Sequence, residues 1–234
     1  MKAIATRRSV LLATATAGFT ALAPWSHAKE EEDQAEVTAN EDLMREHGVI
    51  RRALFVYREA ARRARADPAS VPLRGLLDTA RLMRRFAEDY HEHALEETHI
   101  FPVVRKLKSP VSQLPEVLLT QHQRGREITD YVIRVAGGTR VGQGGGESLA
   151  ATLETFVAMY GPHTAREDTV LFPAWKAALG EKNYEEMGEQ FEDLERKMLG
   201  ADGFEHALKQ IAGIEESFGL ANLSTVTAPP PPAA

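Results

Sequence analysis

The 234-residue chain contains no cysteine. That excludes disulfides, iron–sulfur clusters, thiolate zinc sites and cysteine nucleophiles, so any metal must be held by histidine and carboxylate side chains. Strand-like alternation of apolar and polar residues is missing as well, which leaves helix as the expected regular element. Beyond the first few dozen residues no segment offers about 18 uninterrupted apolar residues, the length a spanning helix needs, so no membrane insertion of the mature protein is expected. Basic charge is in deficit, with 28 Lys and Arg against 34 Asp and Glu. A surplus of acid makes nucleic acid an unsuitable partner.

The N-terminus reads as a targeting segment. Arg7 and Arg8 lead into a mostly apolar, uncharged run from Val10 to Ala23, followed by Ser26-His27-Ala28. This pattern predicts a signal peptide over residues 1–28, cut near Ala28. The stretch TRRSVLL resembles a bacterial twin-arginine signal, with Val10 where that signal usually carries Phe. The expected location is therefore periplasmic, with a cofactor loaded before export. The leader contains Lys2, Arg7 and Arg8 and no acid, leaving 25 basic and 34 acidic side chains and a net charge of −9.

Residues 29–38 are acidic and aperiodic, a predicted disordered lead-in. Thr38 and Glu41 form a capping-box signature, and Leu43, His47, Ile50, Leu54 and Tyr57 then recur at helical intervals. This first helix should end near Asp67-Pro68. A second begins near Pro72 and carries Leu82, Phe86, Tyr90, His93, Glu97 and Ile100 on one face. A third follows Pro115, with Leu118, His122, Thr129 and Val132 inward. Residues 137–146, GGTRVGQGGG, hold six glycines and predict a surface connection. The fourth helix carries Leu149, Leu153, Phe156, Tyr160, His163, Glu167 and Val170, with a kink expected at Pro162. Further helices are expected over 174–199 and 204–217. The predicted fold is all-α: an antiparallel up-down four-helix bundle over 39–176, a helical appendage over 177–219 and a Pro-rich tail over 220–234.

The second and fourth helices share the pattern F-x3-Y-x2-H-x3-E-x2-[IV], at Phe86, Tyr90, His93, Glu97, Ile100 and at Phe156, Tyr160, His163, Glu167, Val170. A His and a Glu four residues apart lie one turn apart on the same face. An ionised Glu on an apolar face without a partner would cost several kcal/mol, so something must compensate it. With His47 and His122 also inward, the four helices would bring four imidazoles and two carboxylates together, a set that suits iron or manganese, with zinc as a further candidate.

In REHGVIRR, HEHALEETHIFP, QHQRGR and HTAREDTVLFP the sequence resembles the hemerythrin-like family, the HHE cation-binding domains, over roughly residues 39–176. The resemblance implies a non-haem di-iron centre inside a four-helix bundle that binds or reacts with dioxygen. Carried over by position, the metal ligands would be His47, His93, Glu97, His122, His163 and Glu167. The rivals are His91, Glu96 and Asp168. Hemerythrin proper places two histidines four apart on its third helix, whereas Leu118 and Arg126 flank His122 at that spacing. Phe101-Pro102 begins four residues after Glu97, while Phe172-Pro173 begins five after Glu167. Continuity of the apolar stripe favours His93, Glu97 and Glu167.

The expected function is a di-iron protein of the bacterial cell envelope handling dioxygen or nitric oxide in sensing, storage or delivery, its redox partner undetermined. The alternatives are a ferroxidase or peroxide-consuming oxidoreductase, and a metal-free helical module. Ferritin-like proteins carry Glu-x-x-His instead, carboxylate first and spacing three, which argues against that architecture.

Overall fold

The computed structural model describes residues 37–142 and 144–232. The expected signal peptide over 1–28, and all of the lead-in before residue 37, lie outside the described residues. Among the described residues every regular element is helical, and no helix is long and apolar enough to cross a membrane.

Helix α1 spans Ala39–Ala66, started by the Thr38/Glu41 capping box and stopped at Asp67. The chain then turns through Pro68–Ser70. Helix α2 begins as α-helix at Leu73–Leu82, widens into a π-helical stretch over Met83–Ile100 and closes with Phe101–Val104. Helix α3 covers Leu114–Ala136. Helix α4 covers Gly145–Arg166, passes through a π-helical turn at Glu167–Leu171 and continues as Phe172–Leu179. Pro162 is accommodated inside α4, and the hydrogen-bond register changes later, at Glu167.

The expected helix over 174–199 is interrupted at Gly180, whose φ of 72° suits glycine. Helices α5, Glu181–Met198, and α6, Gly203–Phe218, follow.

One core runs between α1, α2, α3 and α4, built from Leu43, Ile50, Tyr57, Phe86, Leu118, Val132, Leu153 and Phe156. Alanines 53, 60, 61 and 64 are fully covered on α1 and keep that helix slim where α4 packs along it. Helix α6 lies over α1 and α2. It is fastened by Arg52 donating to Glu215 at 2.9 and 2.5 Å and by Arg63 donating to the Phe218 carbonyl at 2.8 Å. Helix α5 closes one end: Phe191 stacks on Trp175, and the Tyr184 hydroxyl accepts from the Asn40 backbone at 2.7 Å.

The wide turn that ends each π-helical stretch has a local cause. Pro102 and Pro173 lack an N–H, and their rings clash with the carbonyl four residues back, so an α-helical ladder cannot pass these points unbroken. The amide just before each proline instead reaches five residues back, Phe101 to the Glu96 carbonyl and Phe172 to the Glu167 carbonyl. Such wide turns re-aim the side chains near them.

Candidate metal centre

Six buried side chains converge inside the helices: His47 from α1, His91 and Glu96 from α2, His122 from α3, and His163 and Glu167 from α4. The Nε2 atoms of His47 and His91 face each other at 2.9 Å, and those of His122 and His163 at 3.3 Å. Glu96 lies between the two pairs, one oxygen 3.4 Å from His91 Nε2 and the other 3.4 Å from His122 Nε2. Glu167 bridges in the same way: its Oε2 is 3.1 Å from His163 Nε2 and 3.5 Å from His47 Nε2, and its Oε1 is 3.9 Å from His122 Nε2.

The outward nitrogen of each imidazole has its own acceptor. His47 Nδ1 donates to Asp168 at 2.6 Å, His91 Nδ1 to Glu46 at 2.6 Å, His122 Nδ1 to Glu97 at 2.9 Å, and His163 Nδ1 to the Gln121 amide oxygen at 2.8 Å. These acceptors are anchored in turn. Arg51 holds Asp168, the Tyr90 hydroxyl donates to Glu46 at 3.0 Å, and Arg126 donates to Glu97 at 2.6 Å. With the Nδ1 of each ring given to an outward acceptor, Nε2 is the nitrogen turned inward and left to bind a metal.

The electrostatics state the same requirement. All four oxygens of Glu96 and Glu167 are buried without a hydrogen-bond partner, a cost of several kcal/mol per ion unless positive charge is supplied. Burial works against charge on His91, yet Glu96 and Glu46 outweigh it and hold its pKa well above the ordinary imidazole value. His122 is raised likewise, burial being overcome by Glu92, Glu96 and Glu97. Burial also opposes the Glu96 charge, but His91 and His122 hold its carboxyl below the usual range. Glu97 is held down at about 2 against its burial by hydrogen bonds from His122, His93 and Arg126. Protons on the imidazoles thus take the place that a cation would fill. Two groupings have ligand geometry, Glu96 with His122, His163 and Glu167, and Glu96 with His47 and His91.

Of the residues expected from sequence, His47, His122, His163 and Glu167 meet here. His93 does not: its side chain is 68% exposed and its Nδ1 donates to Glu97 at 3.0 Å on the surface. Glu97 lies outside the central group, behind His122. The rivals His91 and Glu96 take the inward places because the π-helical winding of α2 carries the buried face through Phe86, His91, Glu96 and Ile100, at intervals of four or five instead of three or four. Asp168 sits behind His47, and Val170 turns outward while Leu171 is buried. One sequence signal marked this register. Counted from Glu96, Phe101-Pro102 begins five residues on, matching Glu167 and Phe172-Pro173. Glu46, Gln121 and the anchoring role of Arg51 and Arg126 carried no comparable signal.

Comparison with known proteins agrees with this geometry. The model of the hemerythrin HHE cation-binding domain matches residues 38–175. The chain belongs to the hemerythrin HHE family. Uncharacterized proteins of Mycobacterium bovis and Mycobacterium tuberculosis are 38% identical to it over 236 residues, covering 96% of this chain and 91% of theirs. No solved structure matches significantly. As an HHE domain the chain is of a cation-binding helical type, and the buried His and Glu clusters are its candidate metal sites.

Proposed function

We propose that this HHE protein holds two iron ions in a carboxylate-bridged non-haem centre and binds or reacts with dioxygen or a related diatomic ligand such as nitric oxide, in sensing, storage or delivery. The observation that carries the reading is the pair of buried carboxylates, Glu96 and Glu167, that have no hydrogen-bond partner and are each set between two histidine pairs. His47 and His91 would hold one ion, His122 and His163 the other, and both Glu would bridge. Imidazole and carboxylate donors without thiolate suit iron or manganese. Bound iron would supply redox chemistry and open coordination positions.

The protein's own part is to fix the imidazole tautomers through Asp168, Glu46, Glu97 and Gln121, to keep the site dry, and to set its shape from four helices. We place these in an antiparallel up-down bundle over 39–176, with an appendage over 177–219 and a tail beyond. Export to the periplasm after cleavage near Ala28 belongs to the same reading, supported by the twin-arginine-like leader.

A second reading, an oxidoreductase consuming ferrous iron or peroxide, is favoured by the evenness of the donor set. Two histidines and two shared carboxylates per ion leave room for substrate at both metals. Anaerobic ferrous loading followed by oxygen or peroxide separates the two. One stoichiometric reaction supports binding, sustained turnover supports the enzyme, and no uptake of iron refutes both.

A further inference from the structure

Behind His122 lies a third group of donor atoms, on the Nδ1 side of its ring, that the dinuclear centre does not use. Glu92, Glu97 and His122 bring ligand atoms close enough together to hold a cation. Glu97 Oε1 is 2.9 Å from His122 Nδ1, and Glu92 Oε2 is 4.0 Å from it. The Arg126 guanidinium already stands among them. Its Nη2 donates to Glu97 Oε1 at 2.6 Å, to Glu92 Oε2 at 3.4 Å and to the Glu88 carbonyl at 3.4 Å. The cluster is within reach of metal ions from solvent, because Glu97 and Arg126 line a surface cavity of about 640 Å³ together with Asp89, His93 and Glu127.

We infer that Arg126 is a built-in cation that occupies a third cation site, positioning Glu97 against His122 and keeping a third metal ion out. The inference rests on the dinuclear reading above. Its physical basis is a difference between two kinds of cation. Glu92 and Glu97 are near neighbours, and like charges so placed need compensation. A metal ion would supply it but would compete for His122 Nδ1, displacing the proton that His122 donates to Glu97. A guanidinium has only donors, so it offsets the charge of the two carboxylates and leaves the Nδ1–H bond intact. His122 Nε2 is therefore the nitrogen left for the centre.

The test is metal stoichiometry on the full-length mature protein, titrated anaerobically with ferrous iron and, in parallel, with cobalt(II), whose absorption reports the ligand field. Wild type should bind two ions. Arg126→Ala should bind a third and hold the first two about tenfold more weakly, the scale expected when the support behind a ligating histidine is loosened. Arg126→Lys should keep the count at two. Guanidinium salt added to Arg126→Ala should restore two, a rescue that general misfolding would not show. An unchanged count and affinity in Arg126→Ala, or a loss that neither Lys nor guanidinium repairs, overturns the inference and leaves the dinuclear centre standing. Wild type that binds fewer than two ions overturns the dinuclear reading itself, and this inference with it.

Discussion

Replacing Glu96 and Glu167 together by Gln removes the two groups that demand positive charge at the centre and leaves its shape nearly unchanged. Each carboxylate lies between two histidine pairs, so on the proposed dinuclear reading the double variant would deprive both ions of both bridging ligands. A ligand at one hundred times its dissociation constant stabilises the folded state by about 2.7 kcal/mol. For a domain of this size each kcal/mol moves Tm by roughly 2–4 °C, so metal at that excess should raise the melting temperature of the wild type by about 5–11 °C. Thermal melts followed by circular dichroism, with and without anaerobic ferrous iron, should show this rise in the wild type and none in Glu96→Gln/Glu167→Gln. The metal-free variant should melt within a few degrees of the metal-free parent, because Gln keeps the size of each side chain and removes a buried charge that has no hydrogen-bond partner. An equal metal-induced rise in both proteins would refute the reasoning.

The remaining expectations concern single groups. His91→Leu should reduce metal content, whereas His93→Leu, at an exposed position, should leave it at the wild-type value when metal per chain is measured. Burial and the neighbouring Glu92 charge raise the Glu88 carboxyl to about 7, against its hydrogen bond from Thr129 and the charges of Arg84 and Arg126. An acid raised on folding favours the folded state below its unfolded pKa and loses that contribution as pH rises through the folded one. From about pH 4.5 to 7 the protein should therefore lose roughly 3 kcal/mol that Glu88→Gln does not lose, as urea melts of the metal-free protein at stepped pH would show. Because His91 and His122 carry raised pKa values, metal binding must displace their protons and weaken as pH falls. Calorimetric titrations in buffers of different ionisation enthalpy would count those protons. Gly125→Ala should destabilise by about 1–3 kcal/mol, because its Cβ would stand 2.2 Å from the Tyr160 hydroxyl; denaturant titration checks this.

Much of this architecture is written in the periodicity of the sequence. Thr38 and Glu41 marked the start of α1, and the intervals after Leu43 put His47 on its buried face. Leu118, His122, Thr129 and Val132 line one side of α3 as their spacing required. On α2 the same reasoning turned His93 inward, because an α-helical period was assumed where the chain winds as a π-helix. Periodicity alone cannot distinguish His91 with Glu96 from His93 with Glu97, since each pair completes a turn of one helix type. The proline after each Phe carried the missing information. The acceptors behind the histidines were harder to see. Glu46, Gln121 and Arg126 have partners on other helices, and no spacing along one helix encodes a contact between two.

The most direct test of the account is the metal content of residues 29–234, purified without chelator or loaded anaerobically with ferrous iron, with absorption spectra taken before and after oxygen. The account predicts about two irons per chain, as expected of a carboxylate-rich helical bundle, and a near-ultraviolet charge-transfer band that grows when air is admitted. No iron after loading, or a single zinc ion with a featureless spectrum, would contradict it.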